Sequence, residues 1–296
     1  MKVETAAPVA DSPTAPQAQG PAPTDAGAAD DWTADFLERH GDRSDAGDRK
    51  FVTALGRGLA ILRVFESAGD ALGNQALAAA TGLPKPTVSR LTYTLTRLGY
   101  LTYSRVLGKY QLGPAALSLG HMASVTMRIP AVARPHMQQF AEHFGLSVGL
   151  GMRNGLDMVL IGSCHSENMI TLRHGAGERL PMAATAMGRA FLTVLPDAER
   201  AYLMHRLARR AGQRWPEFDK AIERARSDIA ASGFCSSIGD WLSDISGVAV
   251  PLVLREGVFA VNCGGPTFRV GTERLIREIG PELVVMARSV RQAAGQ

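Results

Sequence analysis

Residues 73–98, GNQALAAATGLPKPTVSRLTYTLTRL, decide the architecture. They read as two short helices joined by a turn. The first, around Asn74–Thr81, is Ala-rich with Leu77 as its apolar anchor. Gly82 stands where a helix stop calls for a residue without a Cβ penalty. Pro84 and Pro86 block continuation of that helix, and Pro86 suits the first position of the next. The second helix places Val88, Leu91, Leu95 and Leu98 on one face. Its other face carries Lys85, Thr87, Ser89, Arg90, Tyr93, Thr94 and Arg97, and no acid. Such a face suits a polyanion, because Arg reads guanine edges while Ser, Thr and Lys hold phosphates. A helical hairpin with an ordinary solvated face is the competing reading.

The flanks favour the first reading. Leu55, Leu59, Leu62 and Phe65 form a helical face through about Ser67, with Thr53 as N-cap. Gly99 stops the second helix, and Tyr100–Ser104 and Lys109–Leu112 then read as a tight hairpin. Three helices and a hairpin make a winged helix–turn–helix over 51–113. Arg105 and Lys109 flank the wing tip and can reach a phosphate or the minor groove, or remain solvated charges.

Charge is unevenly spread along the chain of 296 residues, whose net charge is +4. Residues 1–49 hold 4 Lys/Arg against 10 Asp/Glu, whereas 50–112 hold 8 against 2. The basic block coincides with the helix–turn–helix, as an electrostatic footprint on double-stranded DNA requires. Residues 1–30 are Ala, Pro and Asp with few large apolar side chains, and 41–50 return to that composition. A disordered acidic arm over 1–50 is expected. Three scattered cysteines, Cys164, Cys235 and Cys263, fit a reducing cytoplasm better than a disulfide framework. No leader h-region and no apolar run of membrane length is found, so a cytoplasmic protein is expected.

The second half alternates helices and hairpins. Pro114–Thr126 is helix-prone and bridges the halves as a linker over 114–128. Pro130–Phe144 is amphipathic and ends at Gly145. Ser147–Arg153 and Leu156–Cys164 form a hairpin through Asn154-Gly155. Asn168–His174 reads as a third strand. Helices follow at Thr185–Leu195, at Asp197–Arg210 with Asp197 as cap, and at Pro216–Ser232. A second hairpin, Gly247–Leu254 and Val258–Gly264, precedes a closing helix over Thr272–Ala294. Hairpins interleaved with helices imply an antiparallel sheet, hence an α+β domain over 129–296.

ALGRGLAILRVF, LAAATGLPKPTVSRLTYTLTRLGYL and GKYQLGPAALSLG resemble the DNA-binding half of IclR-type (isocitrate lyase regulator) transcription factors. GERLPMAATAMGRAFL at 177–192 and GVAVPLVLREGVFAVNCGGP at 247–266 are similar to that family's effector domain. The resemblance implies a two-domain α+β protein: a winged helix–turn–helix, mostly α, then a GAF-like antiparallel sheet with helices. It implies a sequence-specific regulator, more often a repressor of a neighbouring catabolic operon, forming homodimers or dimers of dimers. It places effector contacts at Ala186, Met187, Ser237, Ser246 or Gly247, Asn262 and Gly264. Three positions depart from the family pattern. Ser237 replaces a common acid, Gly247 a common cysteine, and Pro84 the usual hydroxyl cap of the recognition helix.

The residues themselves support a small-molecule pocket. Ala183–Gly188 are small residues opening a helix, whose free N–H groups and dipole can hold a carboxylate; close helix–sheet packing is the alternative. Asn262 and Gly264 share one strand face, with Cys263 opposite. Trp241 either lines the pocket, favouring a larger, aromatic acid, or packs in the core. Other chemistry fails. Gly145–Gly149 matches G-x-S-x-G, yet a helix precedes Ser147 and a strand follows, the reverse of a nucleophile elbow. Cys164, His165 and His174 lack metal-ligand spacing, no nucleotide-binding motif appears, and no metal, cofactor or catalytic residue is expected. A ligand-independent DNA-binding protein whose second domain only oligomerises is the first rival. An esterase using Ser147, or Cys164 with His165, is the second.

Overall fold

The computed structural model describes residues 50–68, 71–167 and 175–295. The expected arm, apart from Lys50, and the expected strand at 168–174 lie outside these residues.

The first domain opens with α1 (Thr53–Ala68), α2 (Asn74–Thr81) and α3 (Lys85–Arg97), followed by β1 (Leu101–Ser104) and β2 (Lys109–Leu112). Gly82 takes φ 66° and ends α2, as the need for a left-handed residue demands. The wing registers Leu101 with Leu112 and Ser104 with Lys109. It is tied to the α1–α2 turn by two backbone bonds between Leu72 and Tyr110, at 2.9 and 2.8 Å. Ile61, Phe65, Leu77, Leu83, Val88, Leu95 and Leu101 form its core.

Three expectations for this domain are corrected. Thr53 is the first helical residue of α1 rather than its cap. The buried face of α1 is Ala60, Ile61 and Phe65, while Leu55 and Leu59 are exposed. Two faces of α1 are apolar, and at Gly58 the other one meets α3, where a Cβ would lie 4.0 Å from Leu91. Leu98 is also exposed, because α3 ends at Arg97 and the chain turns before Leu98 can join the stripe.

α4 (Pro114–Thr126) leads into α5 (Arg128–Phe144), then β3 (Ser147–Asn154), β4 (Asp157–His165) and β5 (Arg179–Pro181). α6 (Ala186–Thr193), α7 (Asp197–Ala211) and α8 (Trp215–Ser232) follow, then β6 (Cys235–Ile238), β7 (Ile245–Leu254) and β8 (Gly257–Pro266). The six strands form one antiparallel sheet in the order β5-β4-β3-β8-β7-β6. One face, with Val148, Leu150, Val250, Val261 and Cys263, packs on α5 and the closing helix. The other, with Met158, Leu160, Ala249 and Ala260, packs on α6, α7 and α8. Alternate strand residues therefore serve two cores, which is why β7 and β8 are apolar almost throughout.

The hairpins and α4 stand where the pattern put them, and differences gather at the ends. Thr185 is the N-cap of α6, its hydroxyl accepting from the Gly188 N–H. Pro196 precedes α7, and Asp197 is its first residue, paired with Arg200 at 2.6 Å. The closing helix is not continuous. Short helices α9 (Thr267–Val270) and α10 (Thr272–Arg274) lead to a π turn over Leu275–Ile279, then α11 (Gly280–Ala293). Pro281 has no N–H to offer the preceding turn, and the Gly280 N–H bonds instead to Leu275 O, five residues back.

Candidate functional site

Two places gather chemistry. The first is the outer face of α3. Lys85, Ser89, Tyr93 and Arg97 succeed one another at i, i+4 spacing and are exposed, with Arg90 beside them. Thr87 is half-buried. Arg105 and Lys109 are exposed at the wing. Among the described residues no ion pair engages Lys85, Arg90, Arg97, Arg105 or Lys109, so five cations face outward uncompensated. α2 braces α3, Asn74 Nδ2 donating to Ser89 Oγ at 3.1 Å, and within α3 the buried Thr92 hydroxyl donates to Val88 O at 3.0 Å. As the missing hydroxyl cap implied, no side chain caps α3; Pro84 occupies its N-cap position.

The second place is a cavity of about 660 Å³, its mouth included, between the sheet and the start of α6. Ala186, Ser237, Trp241, Ser246, Asn262 and Gly264 all line it. Met187 does not. It is fully buried and fills the space above Gly151, where a Cβ would come within 2.4 Å of its sulfur. The α6 turn that brings Ala186 to the cavity rotates Met187 onto the sheet.

The strand register explains the floor. Ser147, Gly264 and Gly247 face one another on β3, β8 and β7, and Ser237 continues the row on β6. In the next row lie Ser163, Gly149 and Asn262. Side chains at Gly247 and Gly264 would strike backbone atoms across the ladder, at 2.9 and 2.8 Å. The floor is therefore open at its centre and hydroxyl-lined at its edges.

Most of those hydroxyls are already held. Thr185 Oγ1 donates to Pro181 O at 2.9 Å, Ser237 Oγ to Ala184 O at 3.3 Å, and Ser246 Oγ pairs with Thr267 Oγ1 at 2.8 Å. Asn262 is different: its Oδ1 is buried and has no hydrogen-bond partner among the described residues. No lining residue is charged. Just behind, Arg189 is buried, donating Nε to Ala183 O at 3.0 Å and Nη1 to Asp240 at 2.5 Å. That pair fixes the loop carrying Trp241 to the start of α6. Arg189 was legible as a cation in an apolar helix; its acid partner is 51 residues away and was not.

Ser147 Oγ lies 2.9 Å from His165 Nδ1. The pairing has the look of a nucleophile and base, but Ser147 opens β3 and is paired on both sides, with Gly264 and His165. Strand pairing on both flanks leaves no turn of free N–H groups to stabilise an oxyanion. Burial pushes the Cys164 thiol up and the Cys235 thiol up to about 12, and raises Cys263 as well, so none of the three is a ready thiolate. Among the described residues no His, Cys, Asp and Glu cluster could hold a metal ion, and no helix is long and apolar enough to cross a membrane.

Comparison with known proteins matches both domains. The IclR helix-turn-helix domain matches residues 54–105, and the bacterial transcriptional regulator IclR C-terminal domain matches 121–292. The chain is 34% identical to the HTH-type transcriptional regulator TsaQ1/TsaQ2 of Comamonas testosteroni, over 81% of this chain and 87% of that one. It is 26% identical to the HTH-type transcriptional repressor AllR of Klebsiella pneumoniae, over 83% and 92%. An IclR family regulator from Brucella abortus superposes with a TM-score of 0.78 at 41% identity, over 87% of this chain and 98% of that one. With both of its domains matched in order, the chain belongs to the IclR family of bacterial transcriptional regulators, and it is a regulator rather than an enzyme.

Proposed function

We propose that the chain represses a neighbouring operon by binding its operator as a dimer, and that a small organic acid in the cavity releases it. The unpartnered Oδ1 of Asn262 carries the effector half of this reading. A buried acceptor left unpaired costs about 1–3 kcal/mol, which a ligand donor can recover. The effector is therefore an acid bearing a hydroxyl or N–H group. With no charged side chain in the lining and most of its hydroxyls already bonded, its carboxylate is held by the first-turn N–H groups of α6, beside Ala186. Trp241 and the glycine floor accommodate a flat ring, which favours an aromatic acid.

Lys85, Thr87, Ser89, Arg90, Tyr93 and Arg97 are assigned to the major groove, Arg105 and Lys109 to the flanking backbone or minor groove. The repressor sign follows AllR, whose name states it. α4 buries none of its residues, although it carries Leu117, Leu119, Met122 and Val125. A second copy of the chain is the natural cover for that helix, and it sets two recognition helices about 34 Å apart.

A thermal-shift screen against aliphatic and aromatic hydroxy acids tests the effector half. A ligand at 100 times its Kd raises stability by about 2.7 kcal/mol. Asn262→Leu should abolish the shift while leaving the unliganded protein folded. Absence of any shift across the panel would favour the ligand-independent rival.

A further inference from the structure

Among the described residues the two domains share no apolar cluster: one core holds residues of 61–110, the other two hold residues of 127–294. Besides the linker helix, a polar contact joins them. Arg179 on β5 donates Nη1 to Glu66 of α1 at 2.9 Å and Nη2 to Asp157 of β4 at 2.9 Å. Asp157 is buried and also receives Arg210 of α7 at 2.5 Å. Glu66 is additionally 3.9 Å from Arg63 Nε. A guanidinium is a planar fork, so fixing one edge fixes the direction of the other. Asp157, whose bonds are to Arg179 and Arg210 of its own domain, thereby aims Arg179 at the neighbouring domain.

We infer that the Glu66–Arg179 pair docks the DNA-binding domain onto the edge of the effector domain, and that it links the orientation of α1 to the cavity wall. The wall element is β5. Among the described residues it is an edge strand, paired with β4 alone, so it can shift without breaking two of their ladders. Leu180 of β5 lines the cavity, and Arg179 beside it points to the opposite side of the strand. Pressure on Leu180 therefore moves the residue that grips Glu66. α1 shares its core with Val88 and Leu95 of α3, so the recognition helix follows α1. The docking stands on geometry alone; its use as a signal rests on the effector reading above.

The test needs no effector. The three cysteines of the chain are buried, whereas Val106 at the wing tip and Phe268 on α9 are 95% and 88% exposed. The full chain labelled at V106C and F268C, diluted with unlabelled protein, reports the distance between domains by pulsed spin resonance. The docked arrangement gives one dominant distance. Glu66→Gln should move population out of it about two- to five-fold, the scale of one partly exposed ion pair. Asp157→Asn should do the same although it lies outside the contact. Circular dichroism checks that each variant is folded. An unchanged distribution in Glu66→Gln overturns the docking. A change in Glu66→Gln but none in Asp157→Asn overturns the aiming role. Leu180→Ala should shift the distribution in the native background and not in Glu66→Gln. If it shifts neither, the link to the cavity fails while docking stands. A barren ligand screen touches neither result.

Discussion

Gly188 shows how narrowly a single position can be set. It lies in the first turn of α6, and a Cβ there would approach the Met182 carbonyl oxygen to 2.1 Å. Backbone cannot give way as a side-chain tip can. Gly188→Ala should destabilise the effector domain by roughly 2–4 kcal/mol, near the top of the usual range for point changes. Thermal unfolding reads this directly, and a Tm near that of the parent would show that α6 moves freely from the sheet. Cys235 makes a different statement. Burial holds its thiol up at about 12. The unfolded chain loses that proton from its ordinary value of 9.0, while the folded one keeps it. Stability conferred by the neutral thiol is thus complete below pH 9 and declines toward pH 12, by up to about 1.4 kcal/mol per unit. Cys235→Ala should flatten that decline in alkaline denaturation curves; an identical slope would assign it to other groups. Period-two alternation put Asn262 and Gly264 on one strand face and Cys263 on the other, and the fold turns the first face to the cavity and the second into a core. It could not place Met187, whose direction depends on which turn of α6 faces the sheet. Nor did it find Ser163, a hydroxyl whose register only the folded ladder reveals.

At the scale of elements, α3 carries the test of DNA recognition. Its exposed cations are unpaired among the described residues, so each is available to DNA. Arg90→Ala should cost about 1–3 kcal/mol of operator affinity if Arg90 reads a base, and should relax sequence preference there. Lys85→Ala, at the helix start, should instead weaken binding to all sequences alike and lower the salt dependence by about one unit. Titrations of operator and scrambled duplex at several salt concentrations separate the two behaviours. Equal losses on both duplexes for Arg90→Ala would move it to the phosphates. The helices and long hairpins were legible because each has a strong period and a clear stop, such as Gly82, Gly145 or Asn154-Gly155. What escaped was short or at an end. β5 and β6 have three and four residues, too few for a period to emerge, and exist because longer neighbours offer them an edge. Leu55 and Leu59 misled for the opposite reason. Their spacing is helical and apolar, but the face they define is turned away from the core of their own domain.

That outward face raises the question of what the whole molecule looks like in solution. Leu55 and Leu59 on α1, Leu98 after α3, and Leu117, Leu119, Met122 and Val125 on α4 are all about half exposed or more. All of these belong to the DNA-binding half and the linker. A monomer rarely leaves so many large apolar side chains in water, and a helix with no buried residue gains nothing from its own domain. Pairing two copies through α4 would solve both problems and bring two recognition helices to one operator. The replacement of Met122 and Val125 by Glu places two charges on that helix far from α3 and from the cavity. Light scattering on the eluted protein should then report one chain, 31.5 kDa, in place of a multiple of it. Operator affinity should fall by about 10²–10⁴, the usual loss when two linked contacts become one, while a single half-site is bound as well as before. Thermal stability of the effector domain should not change, since none of its core residues is altered. If the variant keeps its mass, the oligomer is held by the effector domain, and the exposed face of α4 answers to another partner.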